Sequence, residues 1–157
     1  MGDGSGAVRG QESALAWHRH GQEVADLRRI LLIDDTPEIA DLLSFALRDR
    51  GYQVFAQGYD TTVNELVAEH SVDALVIDCT SYEMSEALFD MVRSHPNHAE
   101  LPVVIISDTP EIADASLRSR KARKISLIPK PFTGSQVARA LDDLLNDDLR
   151  TDDLRKK

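Results

Sequence analysis

Four short apolar runs, each ending on a polar residue, constrain this chain more than anything else in it. Ile30-Leu31-Leu32-Ile33 precedes Asp34-Asp35, and Ala74-Leu75-Val76-Ile77 precedes Asp78. Val103-Val104-Ile105-Ile106 precedes Ser107-Asp108, while Ile125-Ser126-Leu127-Ile128 leads through Pro129 into Lys130-Pro131-Phe132. Uninterrupted runs of this length, rich in β-branched residues, suit strands buried on both faces, as in a parallel sheet covered by helices. A polar residue at the C-terminal end of such a strand falls where open α/β sheets place their chemistry. Three acids, a hydroxyl and a lysine are therefore expected along one edge of one sheet.

The segments between the runs read as helices. Thr36-Pro37-Glu38 combines a threonine at the N-cap, proline at the first helical position and an acid in the first turn. Ile39, Leu42, Leu43, Ala46 and Leu47 then follow the 3.6-residue period, and Gly51 closes the helix. Tyr52 to Ala56 reads as a short strand near an edge, and Asp60 to Glu69 as a second helix. Met84, Ala87, Leu88, Met91 and Val92 define a third helix, Pro110 to about Ala122 a fourth. Val137, Leu141, Leu144, Leu145 and Leu149 share one side of the last, which begins near Ser135. Strand and helix alternate five times, which predicts parallel strands joined by right-handed crossovers. The heptapeptide Asp35 to Asp41 recurs letter for letter as Asp108 to Asp114. Both copies sit where a strand hands over to a helix, and good helix-start chemistry accounts for both.

We divide the chain into a leader over residues 1–28, a folded domain over 29–146 and a charged tail or helix extension over 147–157. The leader carries four glycines in its first ten residues, then a stretch from Gln11 to Arg29 with modest helical character. The single cysteine, Cys79, excludes an intramolecular disulfide framework. The net charge of −9 argues against a nucleic-acid-coating surface, and no run approaches the roughly 18 apolar residues of a membrane span. A cytoplasmic protein is the expectation. Against the acidic background, Arg118, Arg120, Lys121, Arg123 and Lys124 form a basic cluster. It reads either as a docking surface for an acidic partner or as a solvated helix end.

Two adjacent acids after one strand and one after another suit a hard divalent cation such as Mg2+, which keeps several waters and needs only one or two carboxylates and a carbonyl. A carboxylate on such an ion can attack a phosphoryl group to give an aspartyl phosphate. A lysine and a hydroxyl would neutralise and bond the transferred group's oxygens. Asp34, Asp35, Asp78, Ser107 and Lys130 supply these parts.

In Leu32-Ile33-Asp34-Asp35, Val76-Ile77-Asp78, Val104-Ile105-Ile106-Ser107 and Lys130-Pro131-Phe132, the chain resembles the receiver domain of two-component response regulators, from about Arg29 to Leu145. The resemblance implies a doubly wound, flavodoxin-like α/β fold, a five-stranded sheet in order 2-1-3-4-5 with helices on both faces. It implies that Asp78 accepts a phosphoryl group from a histidine kinase or phosphotransfer protein. It also implies Mg2+ on Asp34, Asp35, Asp78 and the backbone carbonyl of Thr80, Ser107 as a switch hydroxyl, Lys130 as the phosphoryl partner and a cis Lys130-Pro131 bond. A downstream protein partner and possible homodimerisation follow from the same likeness, with no direct nucleic-acid or membrane contact. The acidic tail ends soon after the last apolar stripe, so a stand-alone receiver in a phosphorelay is expected. Any catalysis would be self-phosphorylation and autodephosphorylation at Asp78.

The sequence departs from the family at the basic cluster, which replaces a small Ala-Gly-Ala type turn before the fifth strand, and at three further places. The loop after Asp78 is Cys79-Thr80-Ser81-Tyr82-Glu83-Met84, without the usual Met-Pro and Asp-Gly pairs. Asp108 stands where a small residue is usual, and Leu127 where an aromatic ring is common. These substitutions motivate an alternative, a receiver-like interaction module that works without phosphorylation.

Overall fold

The computed structural model describes residues 27–156. In chain order it comprises β1 (Arg29–Asp34), α1 (Pro37–Asp49), β2 (Gln53–Gln57), α2 (Val63–Glu69), β3 (Ala74–Asp78), α3 (Tyr82–Ser94), β4 (Val103–Ser107), α4 (Pro110–Ser119), β5 (Ile125–Pro129) and α5 (Gly134–Lys156). The five strands are parallel and lie in the order β2-β1-β3-β4-β5. This is the flavodoxin-like arrangement expected, with its topological switch point between β1 and β3. Most of the expected helical stretch Gln11 to Arg29 lies outside the described residues, and Arg29 itself belongs to β1.

Alternation along the strands builds two cores. Ile30, Leu32, Ala74, Val76, Val104 and Ile106 face α1 and α5, packing on Leu43, Leu47, Val137 and Leu141. Leu31, Ile33, Leu75, Ile77, Val103 and Ile105 face the other side, against Val63 and Val67 of α2 and Leu88, Phe89 and Val92 of α3. Every residue of β3 and β4 is buried, which explains why their sequences read as unbroken apolar runs. Each of the larger aliphatic side chains removed from water contributes roughly 1.5–3 kcal/mol. β2 forms an edge and exposes most of its residues.

Helix boundaries depart from the sequence reading in small, explicable ways. α2 starts at Val63 because Asp60 turns the chain first, its Oδ1 accepting from the Thr62 N–H and hydroxyl. α4 stops at Ser119, three residues short of the expectation, and Lys121 is left-handed at φ 50°. α1 closes on Gly51 at φ 93°, a conformation in which other residues are strained. Leu42 follows the apolar period of α1 yet is 68% exposed, and Phe45 is 75% exposed. The apolar stripe is wider than the surface the sheet offers it. In α5, Val137, Leu141 and Leu145 are buried as the periodicity predicts, and Leu144 packs on the same cluster. The side chain of Leu149 falls outside the described residues.

α5 approaches α1 at Gly134, where a methyl group would lie 2.5 Å from the Ala46 Cβ. Alanine is ordinarily the better helix former by about 1 kcal/mol, but here overpacking against a side chain that cannot rotate away costs about 1–3 kcal/mol and dominates. Gly134→Ala is therefore expected to lower stability in urea denaturation, and the double variant with Ala46→Gly to lose less than the two single changes summed. An additive double-mutant cycle would disprove the contact.

Candidate functional site

The parallel register brings the site together before any side chain is considered. β1 pairs with β3 so that Asp34 stands opposite Asp78, and β4 pairs with β5 so that Ser107 stands opposite Pro129. The strand ends are tied further by a 2.8 Å bond from the Lys130 N–H to the Ser107 carbonyl. Asp34, Asp78 and Ser107 are all buried, at 4%, 3% and 5% exposure. The Lys130-Pro131 peptide is cis, as expected.

Lys130 reaches across to Asp78, with Nζ 2.9 Å from Oδ1. The contact is an ion pair without hydrogen-bond alignment, and Asp78 Oδ1 and Asp34 Oδ2 are buried oxygens that accept no hydrogen bond. Burial draws the Lys130 ammonium toward deprotonation, but Asp78, and more distantly Asp108 and Asp34, outweigh it and hold its pKa above the ordinary lysine value. Burial pushes the Asp34 carboxyl up to about 7; the Thr36 N–H on its Oδ1, at 2.9 Å, opposes this, and the Asp78 charge reinforces it. Asp35 behaves oppositely. Partial burial works against its charge, yet the Thr80 N–H (3.0 Å) and hydroxyl (2.7 Å), both on Oδ2, bring it below the usual carboxylate range. Cys79 is buried beside them, and burial pushes its thiol up to about 11, so it stays protonated and weakly nucleophilic.

The structure thus brings together Asp34, Asp35, Asp78, Thr80 and Lys130. The part it gives Thr80 is that of a donor to Asp35, through its amide and hydroxyl. Ser107 lies at the end of the neighbouring strand with its hydroxyl turned to its own loop, accepting from the Thr109 N–H at 3.0 Å and lying 3.3 Å from the Thr109 hydroxyl. Asp108 is exposed at the rim. Thr36 and Thr109 hold the N-cap positions, but neither side chain caps its helix. The Thr36 and Thr109 amides instead donate to the residues two places earlier, Asp34 and Ser107. Thr109 is the residue that sequence reading missed. Its only signal was its place two residues after a hydroxyl at a strand end.

Oxygen donors suit a hard cation, and Asp34 Oδ2 is buried without a hydrogen bond, while Asp78 Oδ1 faces the Lys130 ammonium. Among the described residues no three His, Cys, Asp or Glu side chains form a preassembled metal cluster. That is compatible with Mg2+, which is satisfied by one or two carboxylates and water. Beside Lys130, a groove of about 790 Å³ runs along Ile39, Leu42, Phe45, Ala46, Pro131 and Phe132.

The chain belongs to the response regulator receiver domain family, whose model matches residues 30–142. It is 28% identical over 103 residues to the transcriptional regulatory protein KdpE of Mycobacterium tuberculosis, covering 66% of this chain but 44% of that one. The chain therefore spans less than half the length of that relative. Among solved structures, a sensor protein from Polaromonas sp. JS666 superposes with a TM-score of 0.68 at 21% identity, covering 76% of this chain and 97% of that one. The receiver domain of the sensor histidine kinase PA1611 from Pseudomonas aeruginosa PAO1, which has a magnesium ion coordinated in its active-site cleft, gives 0.63 at 21% identity, covering 76% and 98%. These likenesses establish a receiver domain of two-component signalling. No described helix is long and apolar enough to cross a membrane.

A pH effect follows from Asp34. Its folded pKa, about 7, lies above the ordinary 3.8, so the stability it confers is fully present below the lower value and lost as pH rises through the upper one. In chelator, Asp34→Asn should flatten the decline of unfolding free energy between about pH 4 and pH 7 and gain about 1–2 kcal/mol on the wild type at the upper end. Parallel pH profiles in urea denaturation would contradict this.

Proposed function

We propose that the chain is a phosphorylatable receiver in which Asp78 accepts a phosphoryl group and passes the change to a protein-binding face. The observation that carries the reading is the Lys130 ammonium, 2.9 Å from a buried carboxylate oxygen of Asp78 at the switch point of the sheet. Asp34, Asp35, Asp78 and the Thr80 carbonyl are the residues that would hold Mg2+. The ion, when bound, neutralises charge on the phosphoryl oxygens.

In the transfer step a carboxylate oxygen of Asp78 attacks the phosphorus of a phosphohistidine on a histidine kinase or phosphotransfer protein. The new O–P bond forms as the N–P bond breaks, and the imidazole leaves with the electron pair. Lys130 exchanges its carboxylate partner for a phosphoryl oxygen, and Ser107 turns from Thr109 to donate to another. Hydrolysis reverses the state: water attacks phosphorus, the acyl-phosphate O–P bond breaks, and the Asp78 carboxylate and inorganic phosphate are released. The apolar groove beside Lys130, with Leu42 and Phe45 exposed, offers the phosphodonor protein a surface continuous with the site.

The second reading, a receiver-like module independent of phosphorylation, draws support from Asp35 being engaged by Thr80 and Ser107 by Thr109. One experiment separates the two. Incubated with acetyl phosphate and Mg2+, the wild type should gain the mass of one phosphoryl group. Asp78→Asn and EDTA should abolish the gain, and Lys130→Ala should slow it by at least about tenfold. An unlabelled wild type, under conditions that label a control receiver, would favour the second reading.

A further inference from the structure

The basic cluster at the end of α4 is engaged with acids of its own chain. Arg118 pairs with Asp114 one turn away at 2.9 Å, with its side chain 80% exposed. Arg123 and Lys124 lie 3.9 and 3.7 Å from Glu100. Arg120, at the C-cap of α4, is different: its side chain is 29% exposed and reaches across to α3. Its Nε donates to Asp90 Oδ1 at 2.8 Å and its Nη2 to Asp90 Oδ2 at 3.0 Å, with Nη2 also 3.4 Å from Glu86 Oε1. Its Nη1 donates to the Ser116 carbonyl at 3.2 Å and contacts the Ser116 hydroxyl, which in turn donates to Glu86 Oε2 at 3.0 Å. Glu86 and Asp90 are one turn apart on α3, and Arg120 stands one turn beyond Ser116, so the end of α4 faces a row of acids on α3. A bidentate pair that shares a second acid fixes its geometry more closely than a single contact such as Arg118–Asp114.

The position of this clasp gives it a role. α3 starts at Tyr82, just past Asp78 and Thr80, and α4 starts at Pro110, just past Ser107. Helix α4 is held at its first turn by the Ser107 hydroxyl on the Thr109 amide and at its last turn by Arg120 on α3. We propose that Arg120 is a positioning residue: by clasping α3 it holds α4 in the arrangement in which Ser107 bonds Thr109 and is withheld from Asp78. The proposal rests on the reading that Asp78 takes a phosphoryl group. A contact made in only one of two arrangements lowers the affinity for any ligand that demands the other, by the population it adds to the first.

The test uses the full chain with Arg120→Gln, Asp90→Asn (which severs the pair from the α3 side) and Arg118→Gln as a control on the same helix. Two quantities are read: hydrogen exchange of the amides of residues 111–119 without ligand, and the affinity for beryllofluoride in the presence of Mg2+. Arg120→Gln and Asp90→Asn should both speed exchange at least about threefold and tighten beryllofluoride binding about three- to tenfold. Arg118→Gln should stay within about twofold of wild type in both. Exchange unchanged in Arg120→Gln, or a wild type that binds beryllofluoride as tightly as that variant, overturns the clasp. If wild type and variants alike fail to bind beryllofluoride, the phosphoacceptor reading falls, and the positioning role, which rests on it, is overturned with it. Faster exchange would then show only that Arg120 stiffens α4.

Discussion

One ammonium group holds a rim that carries more negative charge than it can neutralise. Lys130 sits against Asp78, with Asp34 opposite on the next strand and Asp35 just beyond it. Each carboxylate meets this excess differently. Asp35 is stabilised as an anion by two donors from Thr80, whereas Asp34, more deeply buried and facing Asp78, is pushed toward its protonated form. Such an arrangement is unfavourable for folding by itself, because buried charge without full compensation is costly. It persists because the parallel register of β1 and β3 is enforced by the two apolar cores, which leave the strand ends no other place to go. The site is thus an electrostatic strain imposed by hydrophobic packing.

Much of this was legible in the sequence, for identifiable reasons. The strands were readable because burial on both faces leaves an unbroken apolar run, and Ile30 to Ile33 or Val103 to Ile106 can be little else. The meeting of Asp34, Asp78 and Lys130 at one edge followed from strand polarity alone, since every parallel strand presents its C-terminal residue on the same side. The cis Lys130-Pro131 bond followed from the family resemblance.

What escaped was pairing between side chains distant in sequence or decided by rotamers. Thr36 and Thr109 take the expected N-cap positions, but neither hydroxyl caps its helix, and the service of their own amides by Asp34 and Ser107 left no trace in the sequence reading. The donation of Thr80 to Asp35 joins residues 45 apart and leaves no local trace. Arg120, Arg123 and Lys124 look unbalanced along the chain. Their partners Glu86, Asp90 and Glu100 arrive from the neighbouring crossover, and only tertiary structure reveals the compensation. Leu42, placed on the buried stripe by its period, shows that periodicity reports the apolar face of a helix but not the width of the surface available to cover it.

The Ser107 hydroxyl carries a last consequence. In this arrangement it is the acceptor for the Thr109 amide at the threshold of a helix. If it were recruited elsewhere, that amide would lose its acceptor at the same moment. A gain at the strand end is thus bound to a loss at the helix end, an exchange of one bond for another with no net addition. Devices built on such trades sit close to balance, and a modest bias from any element touching α4 is enough to tip them.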